Sequence, residues 1–241
     1  RKDMEAIKER VSSYWTKRSG DFAKLREEEL ESEMAGLWLS EIEPQLPGRE
    51  SLRILDVGTG SGFFAVLLAE KGHHVTGIDL TPAMIEEAGR LAAERQVEVD
   101  FRVMDAEKLE FEDGQFDAVV SRNLTWTLPH PEQAYREWLR VLRPGGVLLN
   151  FDADYGMERF AVEDCLPENH AHRQMSCSQL EECDAIKDEL AISRMRRPLW
   201  DVETLGKLNC RQTETDTGVS ERIYREESPF YNSTPLFRIK A

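Results

Sequence analysis

Residues 55–62 read Leu55-Asp56-Val57-Gly58-Thr59-Gly60-Ser61-Gly62. Three glycines at alternate positions follow a short apolar run (Leu52, Ile54, Leu55, Val57) and precede another, residues 63–69. That is the pattern of a strand turning into a helix, with open backbone amides at the helix N-terminus to receive a ligand. Asp79 ends the next apolar run, in Gly77-Ile78-Asp79. A carboxylate at that place can accept both hydroxyls of a ribose. Nicotinamide dinucleotides and S-adenosylmethionine both suit this geometry. The dinucleotide pattern G-x-G-x-x-G needs its third glycine one residue later, and its pyrophosphate would meet Asp56 directly before the loop. A carboxylate there is better matched to loop amides or to a ligand's ammonium group.

The elements that must position these residues follow from periodicity. Residues 52–57, 73–78, 99–103, 116–121 and 147–152 predict five strands. Helices are predicted over 62–71, 82–95 and 131–142, with Pro82 and Pro131 in first turns and Gly72 closing the first of them. Strands alternating with helices predict a parallel sheet built from right-handed crossovers. Consecutive Val, Leu and Ile within the strands fit a sheet covered on both faces. Residues 1–40 predict charged helices, broken at Gly20-Asp21 with Asp21 as an N-cap. In them Glu27, Glu28, Glu29, Glu31 and Glu33 mark a solvated face. Beyond the fifth strand the rhythm stops. Residues 177–190 have helical character within a polar stretch, 200–207 predict a helix, and 208–217 and 236–240 predict two last strands joined by a polar connection. The expected organisation is an N-terminal helical lid (1–48), a ligand-binding core (49–152), an inserted helical cap (153–193) and a C-terminal completion of the sheet (194–241).

With its elements in this order, the chain resembles the class I S-adenosylmethionine-dependent methyltransferase superfamily, in its small-molecule branch. The residues carrying the resemblance are 55–62, Ile78-Asp79, Met104-Asp105-Ala106, Phe116-Asp117-Ala118-Val119-Val120 and 139–146, the last ending in Pro144-Gly145-Gly146. The resemblance implies a Rossmann-like, doubly wound α/β fold with a mostly parallel seven-stranded sheet. It also implies S-adenosylmethionine as cofactor and S-adenosylhomocysteine as product. Gly58 and Gly60 are then expected against the methionine part, with Asp56 supporting the loop or the amino group. Asp79 is expected at the ribose, and Met84 at the adenine face. Asp105 is expected to accept from the adenine amino group, with Ala106 donating a backbone bond to the ring. Thr59, Gly62, Leu80, Arg122 and Asn123 complete the expected cofactor set. Outside this family context Asp105 reads as an Asx-type turn.

The acceptor is less legible. Residues 121–126 follow the fourth strand, at the carboxyl ends where ligands of open α/β sheets sit. They lack the [DNS]-P-P-[YF] motif of the amino-methylating nucleic-acid enzymes, and no cysteine follows a proline as the cytosine C5 enzymes require. Tyr14, Trp15, Arg18 and Phe22 resemble a lid that closes over the cofactor, and equally an amphipathic helix docked on the sheet. Trp126, Arg194 and Arg197 are also expected near the mouth, where an arginine could hold a carboxylate. His130, Asp152, Asp154 and Tyr155 are the candidates for a general base. An NAD-type oxidoreductase and a non-catalytic S-adenosylmethionine-binding protein stay as alternatives.

Composition narrows the partners. The 241 residues carry 46 acidic and 31 basic side chains, a net charge of −15. Such a surface repels nucleic acids and anionic membranes. The longest apolar stretch, residues 63–69, is far below the ~20 residues of a membrane span, and no basic region precedes an apolar signal segment. A cytoplasmic protein with a small-molecule substrate is expected, without nucleic-acid or membrane partners. Cys165, Cys177, Cys183 and Cys210 form no CxxC pair and are expected as reduced thiols. His170 and His172 lie among them at irregular spacing, so no metal site is expected.

Overall fold

The apolar runs form strands β1 (Arg53–Val57), β2 (His74–Asp79), β3 (Asp100–Val103), β4 (Phe116–Arg122) and β5 (Leu142–Ala153). The C-terminal part adds β6 (Glu214–Asp216) and β7 (Leu236–Lys240). In the computed structural model, which describes residues 2–48, 50–160, 175–225 and 228–241, all seven join one sheet in the order β3-β2-β1-β4-β5-β7-β6. Strands β1 to β5 pair in parallel, and β7 runs antiparallel between β5 and β6. The winding reverses between β1 and β4, the switch point where open α/β sheets bind ligands. This is the seven-stranded, Rossmann-like α/β architecture expected from the sequence. Every residue of β4 up to Ser121 is buried, as a sheet covered on both faces requires.

The helices are α1 (Lys2–Glu31), α2 (Met34–Ile42), α3 (Phe63–Glu70), α4 (Pro82–Glu94), α5 (Pro131–Val141), α6 (Cys177–Glu189), α7 (Leu199–Lys207) and α8 (Val219–Ile223). One face of the sheet packs on α1, α2 and α3, around Trp38, Phe64 and Phe151, whose rings meet edge to face at 5.1–5.9 Å. The other packs on α5, around Tyr135 and Trp138. No helix among the described residues is long and apolar enough to cross a membrane.

Two expectations about the elements are corrected. Strand β5 begins at Leu142 rather than 147, because Leu142 already pairs with Phe116 ahead of a register shift. The N-terminal helix does not break at Gly20-Asp21. It runs on to Glu31, and the chain turns at Ser32, whose Oγ accepts from the Met34 N–H at 3.1 Å. Ile7, Tyr14, Ala23 and Leu30 are all buried on this one helix. Their burial outweighs the local cost of a mid-helix glycine, about 1 kcal/mol relative to alanine. A Cβ at Gly20 would meet nothing within 4 Å. Gly20→Ala is therefore expected to raise stability by roughly 0.5–1 kcal/mol in urea unfolding. A loss of stability would show that the glycine serves as a bend.

Candidate active site

At the carboxyl end of β1 the chain turns through Gly58 (φ +66°) and Gly60 (φ +55°), both in the left-handed region where glycine is favoured. A Cβ on Gly58 would lie 2.8 Å from the Leu124 side chain, and one on Gly60 would lie 3.3 Å from the Phe22 ring. The cradle is thus walled by the segment after β4 on one side and by α1 on the other. Gly62 (φ +92°) does not reach the cavity; it enters α3 packed against Ala88 and Phe101. Its expected place in the cofactor set is corrected to a structural one, because the turn has already passed the ligand side at Gly60.

Asp56 is buried beneath this loop and accepts from Thr59 Oγ1 at 2.7 Å. Burial pushes its carboxyl up to about 7, with the Thr59 bond opposing and nearby Asp79 adding to the rise. A carboxyl whose folded value exceeds its unfolded value of about 3.9 costs stability as pH rises between the two. Asp56→Asn is expected to remove that cost. The gap in unfolding free energy between variant and wild type should be near zero at about pH 4, widen to a few kcal/mol by about pH 7, and then level off. A gap that does not change with pH would mean Asp56 stays ionised throughout.

Asp79, at the end of β2, accepts from the Gly60 N–H at 3.0 Å with Oδ2 and from the Thr81 N–H at 2.9 Å with Oδ1. Leu80 and Met84 continue the same wall. Asp105 accepts from the Glu107 N–H at 2.9 Å, the Asx-type bond, while its Oδ2 accepts from Lys8 Nζ at 2.7 Å. Ala106 lies beside it in the wall. Asp105 shapes its own turn and lies in the cavity wall. Arg122 and Asn123 close the far side of the loop. Apart from Gly62, the whole expected cofactor set lines one continuous cavity.

Tyr14, Trp15, Arg18 and Trp126 line the same cavity. Helix α1 docks on the α/β body, and its Tyr14, Trp15 and Arg18 face the cavity. Tyr155 lies in the wall too, and its hydroxyl donates to Asn123 Oδ1 at 2.8 Å and accepts from Asn232 Nδ2 at 3.0 Å. Burial pushes this phenol well above its ordinary value, so it stays protonated and is not a base. Asn123 takes a left-handed backbone (φ +55°), the kind of strain that gathers at ligand sites.

The other expected groups lie elsewhere. Asp152 is fully buried and accepts from Arg197 Nη1 at 2.6 Å and from the Trp126 N–H at 3.0 Å. Arg197 also grips Asp201 at 3.0 and 2.8 Å. Asp154 accepts from the Arg197 N–H at 3.3 Å. His130 is half exposed, with Nδ1 3.5 Å from Glu107, and Arg194 is exposed and donates to the Asp188 carbonyl at 3.3 Å. None of these five lines the cavity. The pleat sends alternate residues of β5 to opposite faces, and Asp152 falls on the face that meets Arg197 rather than the ligand. Glu29 is corrected as well: it is fully buried, not solvated. Cys183 lines the cavity, and burial pushes its thiol up to about 11. Cys165, His170, His172 and the side chain of Cys177 lie outside the described residues.

Several lining residues carried no signal in the sequence. Lys8 and Arg26 were hidden in the charged pattern of α1. Phe160, Tyr224, Phe230 and Asn232 come from segments without periodicity.

The residues present fit S-adenosylmethionine. Gly58 and Gly60 leave the loop backbone bare in the cavity wall, acidic side chains end β2 and follow β3, and buried Ser61 Oγ in the wall has no hydrogen-bond partner. The methyltransferase-domain family matches residues 55–150. The Bacillus subtilis (strain 168) protein YqeM, provisionally named a methyltransferase, is 34% identical over 176 residues, 71% of this chain and 68% of that one. The ubiquinone biosynthesis O-methyltransferase of Alkalilimnicola ehrlichii is 39% identical over 102 residues, 42% of this chain. The match spans only 41% of that relative's length. A solved Methanococcus maripaludis structure, provisionally described as an S-adenosyl-L-methionine-dependent methyltransferase, shares the fold with a TM-score of 0.58 at 16% identity, over 90% of each chain. The chain belongs to the methyltransferase-domain family.

Proposed function

We propose that the protein transfers a methyl group from S-adenosylmethionine to a small, partly polar acceptor. The observation that carries this reading is the continuity of the cavity. It runs from the wall of Asp79 and Asp105, past Gly58 and Gly60, to a chamber walled by Trp15, Trp126, Tyr155 and Phe160 and roofed by α1. Asp79 takes the ribose hydroxyls, Asp105 and Ala106 the adenine edge, and Met84 its face. Asp56 and the glycine loop, with Thr59, Arg122 and Asn123, hold the methionine part.

The cofactor supplies a methyl group already activated on a sulfonium, for direct displacement by a nucleophilic atom of the acceptor. The chain's part is alignment and exclusion of water. Aromatic walls give area and an orienting face, and the Asn123–Tyr155–Asn232 chain keeps that wall in one place. Among the described residues the acids lining the cavity are Asp56, Asp79 and Asp105, all assigned here to the cofactor. The acceptor therefore brings its own lone pair or loses its proton to water.

Relatives named for ubiquinone biosynthesis do not fix the acceptor. The family match ends at residue 150, before Tyr155, Phe160, Tyr224 and Asn232. Calorimetry is expected to show binding of S-adenosylmethionine and S-adenosylhomocysteine but not NAD. Transfer of labelled methyl is expected to at least one member of a panel of phenols, thiols, amines and carboxylic acids. Binding of NAD alone would overturn the whole reading. Tight cofactor binding with no transfer across the panel would favour a non-catalytic binding protein.

A further inference from the structure

Two groups of rings line the chamber. From α1 come Tyr14, Trp15 and Phe22, with Trp15 edge to face against Tyr14 at 5.2 Å and against Phe22 at 5.3 Å. From the segments after β4 and β5 come Trp126, Tyr155 and Phe160, with ring centroids 5.2, 6.0 and 6.3 Å apart. The polar groups on these walls are engaged with one another. The Tyr155 hydroxyl sits between Asn123 and Asn232, and the Tyr14 hydroxyl meets the Cys183 thiol and the Arg18 guanidinium. What the walls present is ring surface.

Such walls suit two kinds of ligand. A cation rests on ring faces, and another ring packs offset or edge to face. The charges already placed against these rings decide between the two. The Arg18 guanidinium lies 5.2 Å from the Trp15 centroid, 5.8 Å from that of Tyr14 and 5.9 Å from that of Phe22. On the other wall, Lys187 Nζ lies 3.7 Å from the Phe160 centroid. Lys187 belongs to α6 and does not line the cavity. Its side chain is 2% exposed and pairs with Asp184 at 3.1 Å. Lys187 Nζ donates to the Tyr155 carbonyl at 3.0 Å and makes a close bond to the Glu158 carbonyl, while Asp184 accepts from the Phe160 N–H at 3.0 Å. The pair thus pins residues 155 to 160 to the cap and holds a cation on the Phe160 ring. A cation on one face of a ring draws π density towards itself. The ring's remaining surface then repels a second cation and attracts an electron-rich ring. Lys8, Arg26 and Arg122 in the same cavity add to that repulsion.

We infer that the chamber takes an uncharged, electron-rich aromatic ring, and that Lys187 is a positioning residue that fixes the Phe160 ring and polarises it. The inference rests on the reading above that this chamber receives the acceptor.

The test uses the full chain, with and without saturating S-adenosylhomocysteine, and three probes on one carbon skeleton. These are 2-naphthol, its saturated counterpart decahydro-2-naphthol, and 2-naphthylmethylamine, which is protonated at neutral pH. Calorimetry is expected to show 2-naphthol binding at least roughly 10-fold more tightly than either of the others. Equal binding of the saturated alcohol would make the chamber merely apolar, and tighter binding of the ammonium would make it a cation cage. Either result overturns the inference, as does a failure of 2-naphthol to bind.

Variants separate polarisation from packing. Phe160→Leu keeps apolar bulk but loses the ring, and is expected to weaken 2-naphthol by roughly 10-fold and S-adenosylhomocysteine by less than about 3-fold. Unchanged 2-naphthol binding would place the probe elsewhere and overturn the site. Lys187→Met is expected to lower the preference for 2-naphthol over the protonated amine by about 5-fold or more, and Lys187→Arg to retain it. A Lys187→Met variant that weakens both probes equally would leave Lys187 with packing alone and overturn its assigned role. If that variant does not fold, Phe160→Leu and the probe ratios decide the outcome. Methyl transfer enters none of these readouts, and the probes are also titrated without nucleoside. Failure of the transfer panel or of cofactor binding is therefore told apart from failure of the ring site.

Discussion

Asp79→Ala is expected to weaken S-adenosylhomocysteine binding by roughly 2–4 kcal/mol, about 30- to 1,000-fold, while the sheet stays folded. The carboxylate stands at the end of β2, where it accepts from the Gly60 and Thr81 amides. Two losses add up in the variant. On the proposed placement of the cofactor a charge-assisted contact to the ribose hydroxyls goes, and so does the bond that fixes the Gly60 amide. Burial already pushes the Asp79 carboxyl up, so in the ligand-free protein its charge is not a source of stability. The unfolding midpoint should therefore change little. Calorimetry with an unchanged affinity would place the ribose elsewhere in the cavity. A large fall in stability would show that Asp79 holds the loop and not the ligand.

The second large effect lies under the site rather than in it. Arg197→Leu is expected to cost about 3–5 kcal/mol of unfolding free energy, because it strands buried charge. Arg197 is the cation between Asp152 and Asp201, both fully buried. Asp201 also accepts from the Tyr135 hydroxyl at 2.6 Å, and Asn150 donates to that same hydroxyl at 2.9 Å. Burial pushes Asp152 up to about 6 even with Arg197 beside it. Without the arginine the Asp152 carboxyl rises further above its unfolded value, and its protonation then favours the folded state. The deficit should accordingly be smaller at about pH 5 than at about pH 8. Adding Asp152→Asn and Asp201→Asn to the variant should recover part of the loss. Urea unfolding at the two pH values tests this. A small, pH-independent cost would mean that water reaches the pair. Asp152 also holds the Trp126 amide at 3.0 Å, so any loss in the variant's cofactor-independent ligand binding would trace to that wall of the chamber.

Much of the glycine-loop wall of the cavity was legible because it is local. Gly58 and Gly60 need positive φ, which few other residues accept, and Asp56 and Asp79 are placed by the ends of β1 and β2. Apolar runs and proline starts located most of the helices and strands to within a few residues. The break expected at Gly20 failed because propensity is a local preference, and the burial of Ile7, Tyr14, Ala23 and Leu30 along one helix overrides it. Glu29 looked like one of a row of solvated acids, since a one-dimensional pattern shows the helix face but not what crosses it.

What the sequence determined by itself was the alternation of elements, and with it the parallel sheet, the glycine turn and the class of ligand that turn receives. These follow from hydrophobic period and backbone conformation, properties of neighbouring residues. Only the tertiary structure decided which charges meet. Glu29 reaches Arg122 across 93 positions of chain, Lys8 reaches Asp105, Tyr155 reaches Asn232, and Arg197 binds Asp152 away from the cavity. The physical reason is that a buried charge or hydroxyl must find a partner wherever the fold brings one. That partner is set by three-dimensional proximity, which spacing along the chain does not encode.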